Sequence, residues 1–217
     1  MDPITRAMFM GSVGAGSGPE VGDSYEGGYF AGYISQTADG NATHGLIVAP
    51  AASGYNGKST LQWKTTNTPE LFGTSEFDGA TNTANLANAN HPAANYCAGL
   101  SIGGYTDWYL PALYELEIAY YNLKPTTTSN STSYGTNSYA IPQRGSNYTA
   151  GDPARTSVAA FQSGGAENFV TGYHWSSTDE FFIFATWAEA LRFSDGSKLQ
   201  ENKTTTCYVR AFRKFAL

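Results

Sequence analysis

The chain has 217 residues, of which 41% are hydrophobic and only 14% are charged, and its net charge at pH 7 is −6. The hydrophobic content suffices for one packed domain, and the acidic charge argues against a nucleic-acid partner, because phosphate binding needs a basic surface. No apolar run approaches the roughly 20 residues of a membrane span, and residues 1–10 lack the features of a signal peptide, so we expect neither.

Glycine and tyrosine are abundant, with 24 and 15 copies. Charged residues fall well below the roughly 25% of an average soluble domain. This composition predicts loops and short strands with an aromatic, hydrogen-bonding surface. Such a surface suits recognition, because tyrosine supplies contact area at a low cost in conformational entropy.

Residues 1–24 are rich in glycine, show little periodicity and contain one apolar cluster, Met8-Phe9-Met10. They predict an arm that is either a disordered tail or an attachment segment that orders only against a partner. The apolar cluster favours the attachment segment, because alone it would expose apolar surface to water. We therefore expect residues 1–24 to contact other subunits of an assembly, as a homotrimer, and residues 25–217 to form one domain.

The first elements of this domain are predicted strands. Residues 29–34 and 44–49 flank the turn signal Asp39-Gly40, which favours a β-hairpin. Asn56-Gly57 marks a second tight turn, just before residues 61–63. Both pairs of turn residues tolerate the backbone conformations that tight turns require.

Helices are predicted in the middle of the chain. Residues 83–98 are rich in alanine and asparagine and indicate a helix that is open to interruption at Pro92. Residues 112–123 give the clearest helix, bounded by Pro111 and Pro125, with Glu115 and Glu117 placed to suit the helix dipole. Its buried stripe follows from three- and four-residue spacing. The stripe consists of Leu113, Leu116, Tyr120 and Leu123.

The last third of the chain alternates loops and strands. Residues 126–150 are polar and indicate a long surface loop, after which a short helix is expected from Asp152 to Gly164-Gly165. We expect strands from residue 173 onward, at 185–193 and 207–215, separated by a turn at Asp195-Gly196.

Motifs of common enzymes are incomplete or absent. Gly57-Lys58-Ser59 matches the end of a phosphate-binding loop, but Ala52 stands where the first glycine of that motif belongs. The three histidines lack metal-binding spacing, and no nucleophile elbow occurs. Asp179 and Glu180 are adjacent, so they would point to opposite faces of a strand, and we interpret them as solvated loop acids. The sequence therefore predicts a protein that is not an enzyme.

The two cysteines, Cys97 and Cys207, form neither a disulfide framework nor a metal-binding pattern. Two alternatives fit them equally well, a single disulfide bridge or two unpaired buried thiols. The sequence does not decide between them.

Several blocks of residues resemble a known family. The first block is GGYTDWYLP at 103–111, followed by Glu115-Leu116, and the second is WSSTD at 175–179. FSDG at 193–196 and VRAFR at 209–213 complete the pattern. Together they are similar to the Lcl-type C-terminal domains of phage tail proteins and bacterial surface proteins. The resemblance covers roughly residues 27–217.

This resemblance implies an α+β, C-type-lectin-like fold, with two main helices packed on a twisted, mostly antiparallel sheet and with Trp108 and Trp175 in the core. It also implies kinship with formylglycine-generating enzymes and with the variable proteins of diversity-generating retroelements, whose C-terminal strands and loops carry substituted residues. Tyr109 stands where the family usually has arginine. Ala211 stands where many members have a cysteine, which argues against a family-type disulfide from Cys97. Nothing matches the catalytic cysteines of the enzymes.

A ligand-binding face is predicted between the scaffold-like blocks at 175–178 and 209–213. The residues there mix aromatic, acidic, basic and amide side chains, which folding alone does not require, and alternate members of a strand would share one face. Calcium is an alternative ligand, as in many lectins, but no dense carboxylate cluster demands it. The predicted face comprises Glu180, Phe181, Phe182, Phe184, Thr186, Glu189, Arg192, Lys198, Gln200, Glu201 and Thr205.

These observations together predict a hypervariable receptor-binding protein, or adhesin, of a phage tail fibre. Its expected ligand is a protein or glycan of the host surface, and its expected location is the virion surface. Two alternatives stay open: a structural decoration protein without a ligand, and a bacterial surface binding protein of the same fold.

Overall fold

The strands of this protein form two separate five-stranded sheets in the computed structural model, which describes residues 18–180 and 186–217. The first sheet has the order β1-β2-β3-β10, with β5 paired to β2, and every pairing in it is antiparallel. Its strands are β1 (Ser24–Tyr25), β2 (Gly28–Ile34), β3 (His44–Val48), β5 (Ala140–Ile141) and β10 (Phe212–Ala216).

The second sheet has the order β4-β9-β6-β7-β8. It is antiparallel except where β6 meets β9, a single parallel pairing of His174 with Tyr208. Its strands are β4 (Thr60–Gln62), β6 (Tyr173–Glu180), β7 (Trp187–Arg192), β8 (Lys198–Asn202) and β9 (Thr206–Tyr208).

Four α-helices lie in the described residues, so the fold is α+β, as expected. None of them combines the length and apolar character that a membrane crossing needs. Short 3₁₀ helices occupy Asn56–Lys58 and Ala159–Phe161. The α-helices are α1 (Ala51–Gly54), α2 (Gly79–Leu86), α3 (Pro92–Ala98) and α4 (Leu113–Leu123).

The predicted hairpin and the clearest predicted helix are both confirmed. Strands β2 and β3 pair across the Asp39-Gly40 turn, in which Gly40 has a φ of 85°. Helix α4 contacts β2 of the first sheet and β6 and β7 of the second, so both of its sides are covered. Leu116 and Tyr120 are buried, as the periodicity predicted. The helix thus joins the two sheets through one of the two apolar clusters of the described residues.

Three predicted elements differ in the structure. The helix predicted at 83–98 is two helices, α2 and α3, separated by residues 87–91. The helix predicted from Asp152 to Gly165 is wrong, because Thr156 donates its N–H to the carbonyl of Lys124 rather than to its own segment, and only the 3₁₀ turn Ala159–Phe161 forms. The strand predicted at 207–215 is split into β9 and β10, which belong to different sheets.

The beginning of the packed domain lies earlier than residue 25. Val21 packs against the apolar core, Gly22 donates its N–H to the carbonyl of Phe30, and Ser24 pairs with Tyr29 in β1. Residues 18–24 of the predicted arm therefore belong to the domain, and residues 1–17 lie outside the described residues.

The core contains the aromatic residues that the family resemblance assigned to it. Trp108 and Trp175 are 2% and 1% exposed. Cys97 and Cys207 are buried free thiols, so the alternative without a disulfide is the one found. Burial raises the pKa of the Cys207 thiol to about 12, which keeps it protonated at neutral pH.

The crossover between the two sheets carries a buried charge. Between β9 and β10, the side chain of Arg210 is 1% exposed, and it donates to the carbonyls of Ala49 and Glu167 and to the Glu167 carboxylate at 2.8 Å. The rings of Phe169 and Tyr55 lie 4.6 and 5.1 Å from its guanidinium carbon. This ion pair holds the chain at the point where it changes sheets.

We expect Arg210→Ala to lower the free energy of unfolding by about 3–5 kcal/mol, because it leaves the buried Glu167 carboxylate without its cation. Urea unfolding followed by circular dichroism measures the change. The matched control is Arg192→Ala, which removes a half-exposed ion pair with Asp195 and should cost about 0–1 kcal/mol. Equal losses in the two variants would contradict the role given to Arg210.

Candidate functional site

Four of the residues predicted for the ligand-binding face meet on the hairpin formed by β7 and β8 and on the neighbouring end of β6. Glu189 stands directly opposite Gln200, and Leu191 opposite Lys198, so these side chains share one face of the sheet. Glu180 ends β6 and pairs with Trp187 of β7, which adds it to the same face. The Asp195-Gly196 turn joins the two strands of this hairpin, and Gly196 has a φ of 73° there.

An open groove of about 600 Å³ lies between this face and the N-terminal end of α4. Trp187 and Tyr134 supply half-buried aromatic rings, and Leu113 supplies a buried apolar floor. The eight lining residues divide equally between charged or amide side chains and apolar or aromatic ones, and the groove is wide open to solvent. The groove is lined by Glu76, Leu113, Tyr134, Trp187, Glu189, Lys198, Leu199 and Gln200.

The Gln200 amide organises the acidic side chains of the groove. Its Nε2 donates to Glu180 Oε2 at 2.8 Å and to Glu189 Oε1 at 2.9 Å. One amide thus bridges two carboxylates that would otherwise repel each other. The two bonds fix the directions of three side chains before any ligand arrives.

The electrostatic state of Glu189 reflects its burial and its neighbours. Burial raises the pKa of the Glu189 carboxyl, and the nearby charges of Glu180 and Glu76 raise it further. The hydrogen bond from Gln200 and the positive charge of Lys198 act in the opposite direction. The groove is therefore an acidic environment that contains a single compensating cation.

That cation rests on an aromatic ring. The ammonium nitrogen of Lys198 lies 5.0 Å from the centre of the Tyr114 ring, within the range of a cation–π interaction. Among the described residues Lys198 forms no ion pair with a carboxylate. Lys198 therefore contributes a positive charge on a flexible side chain to the groove.

The helical wall of the groove is fixed by hydrogen bonds at the start of α4. Leu113 donates its N–H to the hydroxyl of Thr178 at 3.1 Å, and Tyr114 donates to the carbonyl of Glu76 at 2.8 Å. Glu115 Oε2 accepts from the N–H groups of Ala112 and Gly79 at 2.8 and 3.1 Å. These bonds satisfy N–H groups that a helix terminus leaves without helical partners, so the wall is rigid.

Glu115 also explains a glycine in the neighbouring helix. A Cβ at Gly79 would lie 2.5 Å from the Glu115 carboxylate and from the Ala112 nitrogen. Only glycine allows α2 to approach the start of α4 this closely. Glu115 and Glu117, predicted only to suit the helix dipole, are both completely buried, and each has several hydrogen-bond donors.

The other predicted site residues lie apart from the groove or outside the described residues. Arg192 pairs with Asp195 and lies over the Tyr173 ring, and Glu201 accepts a hydrogen bond from Thr205 at 3.3 Å on the opposite face of β8. Thr186 accepts the N–H of Lys203 through its carbonyl. The positions outside the described residues are Phe181, Phe182 and Phe184.

Sequence reasoning missed five of the eight residues that line the groove. Trp187 could have been found, because it alternates with Glu189 on a predicted strand. Glu76 and Tyr134 lie in loops far away in sequence, and no local pattern connects them to β7. Leu113 was predicted as core, and it is both core and groove floor.

The interpretation of Asp179 and Glu180 as solvated loop acids is wrong, because both residues lie in β6. Asp179 lies in β6 with its side chain fully buried and forms an ion pair with Lys203 Nζ at 2.7 Å. Burial raises the pKa of the Asp179 carboxyl to about 6 and lowers that of the Lys203 ammonium. A second pairing beside it joins Glu70 to Lys64 and His91. These charges neutralise one another inside the domain.

No group of three or more histidine, cysteine, aspartate or glutamate side chains in the described ranges is arranged to hold a metal ion. The groove offers hydrogen-bond acceptors and aromatic faces instead.

No protein-family model matches the chain, and no curated protein matches it either. Its function is therefore inferred from its own residues and geometry.

We expect the stability contributed by Glu115 to depend on pH. Burial raises the pKa of its carboxyl from 4.5 to about 7, so the folded protein retains a proton that the unfolded chain releases. This contribution is fully present below about pH 4.5 and is lost as the pH rises through 7, a change of about 3 kcal/mol at roughly 1.4 kcal/mol per pKa unit. Glu115→Gln carries no charge and should lack this pH dependence.

Urea unfolding of the wild type and of Glu115→Gln across this pH range measures the effect. As the pH rises, the free energy of unfolding of the wild type should fall relative to that of Glu115→Gln. Glu20→Gln, at an exposed position, serves as the control and should follow the wild-type curve. Parallel curves for Glu115→Gln and the wild type would show that the carboxyl keeps its ordinary pKa.

Proposed function

We propose that this protein is a non-enzymatic receptor-binding module of a phage virion, which holds a molecule of the host surface in the groove between α4 and the β7–β8 hairpin. The observation that carries the proposal is the meeting of Glu180, Glu189, Lys198 and Gln200 with the aromatic residue Trp187 in one open groove. Aromatic anchors beside polar side chains are typical of binding surfaces.

Rigidity of the groove supports this proposal. The polar side chains are directed by hydrogen bonds in the unliganded protein, and the wall formed by α4 is held at its first turn. A preorganised site loses less conformational entropy on binding, so more of the contact energy becomes affinity. A decoration protein without a ligand would have no need to align these side chains.

We also propose that the fold is C-type-lectin-like, as the family resemblance implies. Three separated blocks of that resemblance contact one another, which supports a common scaffold. Tyr109 and Phe212 pair through their backbones, and Ser177 donates its N–H to the carbonyl of Pro111. The Arg213 guanidinium binds Asp107 at 2.8 and 2.9 Å. The ligand-binding residues lie between these blocks in sequence, which suits a scaffold that tolerates substitution there.

Binding of the labelled protein to a microbial glycan array and to a panel of bacterial strains tests the function. Wild-type protein should bind a subset of the panel, and Trp187→Ala should lose at least about tenfold in affinity, since buried aromatic anchors often contribute 2 kcal/mol or more. Tyr25→Ala, a half-buried aromatic position in the other sheet, is the matched control.

Circular dichroism shows whether both variants remain folded. Wild-type protein that binds nothing on either panel would favour the decoration role. Unchanged binding by a folded Trp187→Ala protein would place the binding surface elsewhere.

We further propose that residues 1–17 attach this domain to other virion subunits as a homotrimer. Their apolar cluster motivates this proposal, and the packed domain already begins in the segment from Gly18 to Ser24. Deletion of residues 1–17 should leave the melting temperature unchanged and convert the assembly to monomers. Light scattering measures the assembly, and an unchanged molar mass would contradict the proposal.

A further inference from the structure

The charges that surround the groove are unequal in sign. Three carboxylates, those of Glu76, Glu180 and Glu189, face one ammonium group, that of Lys198. Glu180 adjoins the groove through its bond to Gln200, and the other three residues line it directly. The local charge is therefore negative, and it attracts cations more strongly than it attracts neutral or anionic molecules.

Glu189 has an oxygen atom that lacks a hydrogen bond. The residue is only 9% exposed, and its Oε1 accepts from Gln200, but no described residue donates to Oε2. Oε2 is not among the buried side-chain oxygens that lack a partner, and a carboxylate oxygen open to the groove can accept a charge-assisted hydrogen bond, which is about twice as strong as a neutral one. The unfilled acceptor lies in a residue that lines the groove, so a ligand can supply the missing donor.

The groove already accommodates a cation of its own. Lys198 places its ammonium over the Tyr114 ring rather than in an ion pair, and Trp187 and Tyr134 add two more rings nearby. Aromatic faces combined with carboxylates are a known environment for ammonium groups. The flexible lysine stem can move aside at little cost when another cation enters.

We propose that the groove selects glycans that carry a free primary amine, whose ammonium group takes the position now occupied by that of Lys198. This inference rests on the function proposed above and names its ligand class. The carboxylates at the groove outnumber its one ammonium group, which matches an amino sugar, because its ammonium group is cationic and its hydroxyl groups are able to donate hydrogen bonds. The aromatic rings suit the flat apolar faces of sugar rings. A single lysine side chain of a protein partner would use only a small part of this surface.

Two oligosaccharides that differ in whether their amines are free or acetylated test the inference. A glucosamine hexasaccharide and its fully N-acetylated form have the same length and linkage, and they are titrated into the full-length protein by calorimetry, below the pKa of the amines. The amine form should bind at least about tenfold more tightly, a difference of roughly 1.4 kcal/mol. Added salt should reduce this preference, since it screens the charges of an open groove.

Two variants should shift the affinity in opposite directions. Glu189→Gln keeps the shape of the side chain and removes its charge, so it should weaken binding of the amine form about tenfold, as expected for loss of a charge-assisted bond. Lys198→Met removes the competing cation and should strengthen binding. Glu20→Gln replaces an exposed carboxylate that does not line the groove, and it should leave the affinity unchanged.

Each outcome decides a separate point. Equal affinity for the two hexasaccharides, or weaker binding by Lys198→Met, would overturn the selection of an amine. If a lysine-containing peptide with an acetylated N-terminus binds tightly and the hexasaccharides do not, the groove is assigned to a protein partner. If neither hexasaccharide binds while the glycan array still reports Trp187-dependent binding, this inference fails and the proposed function stands. Absence of binding in both experiments would overturn both.

Discussion

The structure depends on one buried ion pair at the crossover between its two sheets. Arg210 uses Nε and both terminal nitrogens to bind the carbonyl of Ala49 and the carbonyl and carboxylate of Glu167, and Glu167 also accepts the N–H of Ala51. The end of β3, the start of α1 and the loop before β6 therefore meet at a single side chain. Burial lowers the pKa of Arg210 to about 10, yet it remains charged at neutral pH. A buried charge that satisfies backbone groups from three segments permits few alternative arrangements of the sheets.

Helix α4 extends this constraint toward the groove. It lies between the sheets, and its two buried glutamates reach out to the loops around it. Glu117 accepts hydrogen bonds from Asn137, Arg144 and Tyr148, and it thereby orders the long loop at 126–150. Tyr134, a wall of the groove, belongs to that loop. The buried Glu117 thus helps to position the half-buried Tyr134 at the surface.

The groove combines a rigid frame with an incompletely satisfied charge. Its polar side chains are held by Gln200, while Glu189 retains an oxygen without a donor and Lys198 rests on a ring. Under the proposed function, interactions with a ligand add to those that the free protein makes in this groove.

The sequence by itself determined the elements whose signals are local. The β2–β3 hairpin follows from alternation around Asp39-Gly40, and α4 follows from the spacing of its apolar residues. The mixture of acidic, basic and amide side chains also placed Glu189, Lys198 and Gln200 in one predicted face, and the pairing of β7 with β8 brings them together. Only the tertiary structure decided that residues 207–215 divide between two sheets, because alternation does not reveal a strand's partner. It also decided that Glu76 and Tyr134 join the groove and that Glu115, Glu117, Asp179 and Arg210 are buried. A charged residue can enter the interior only where distant segments supply its partners, and those partners are a property of the folded chain.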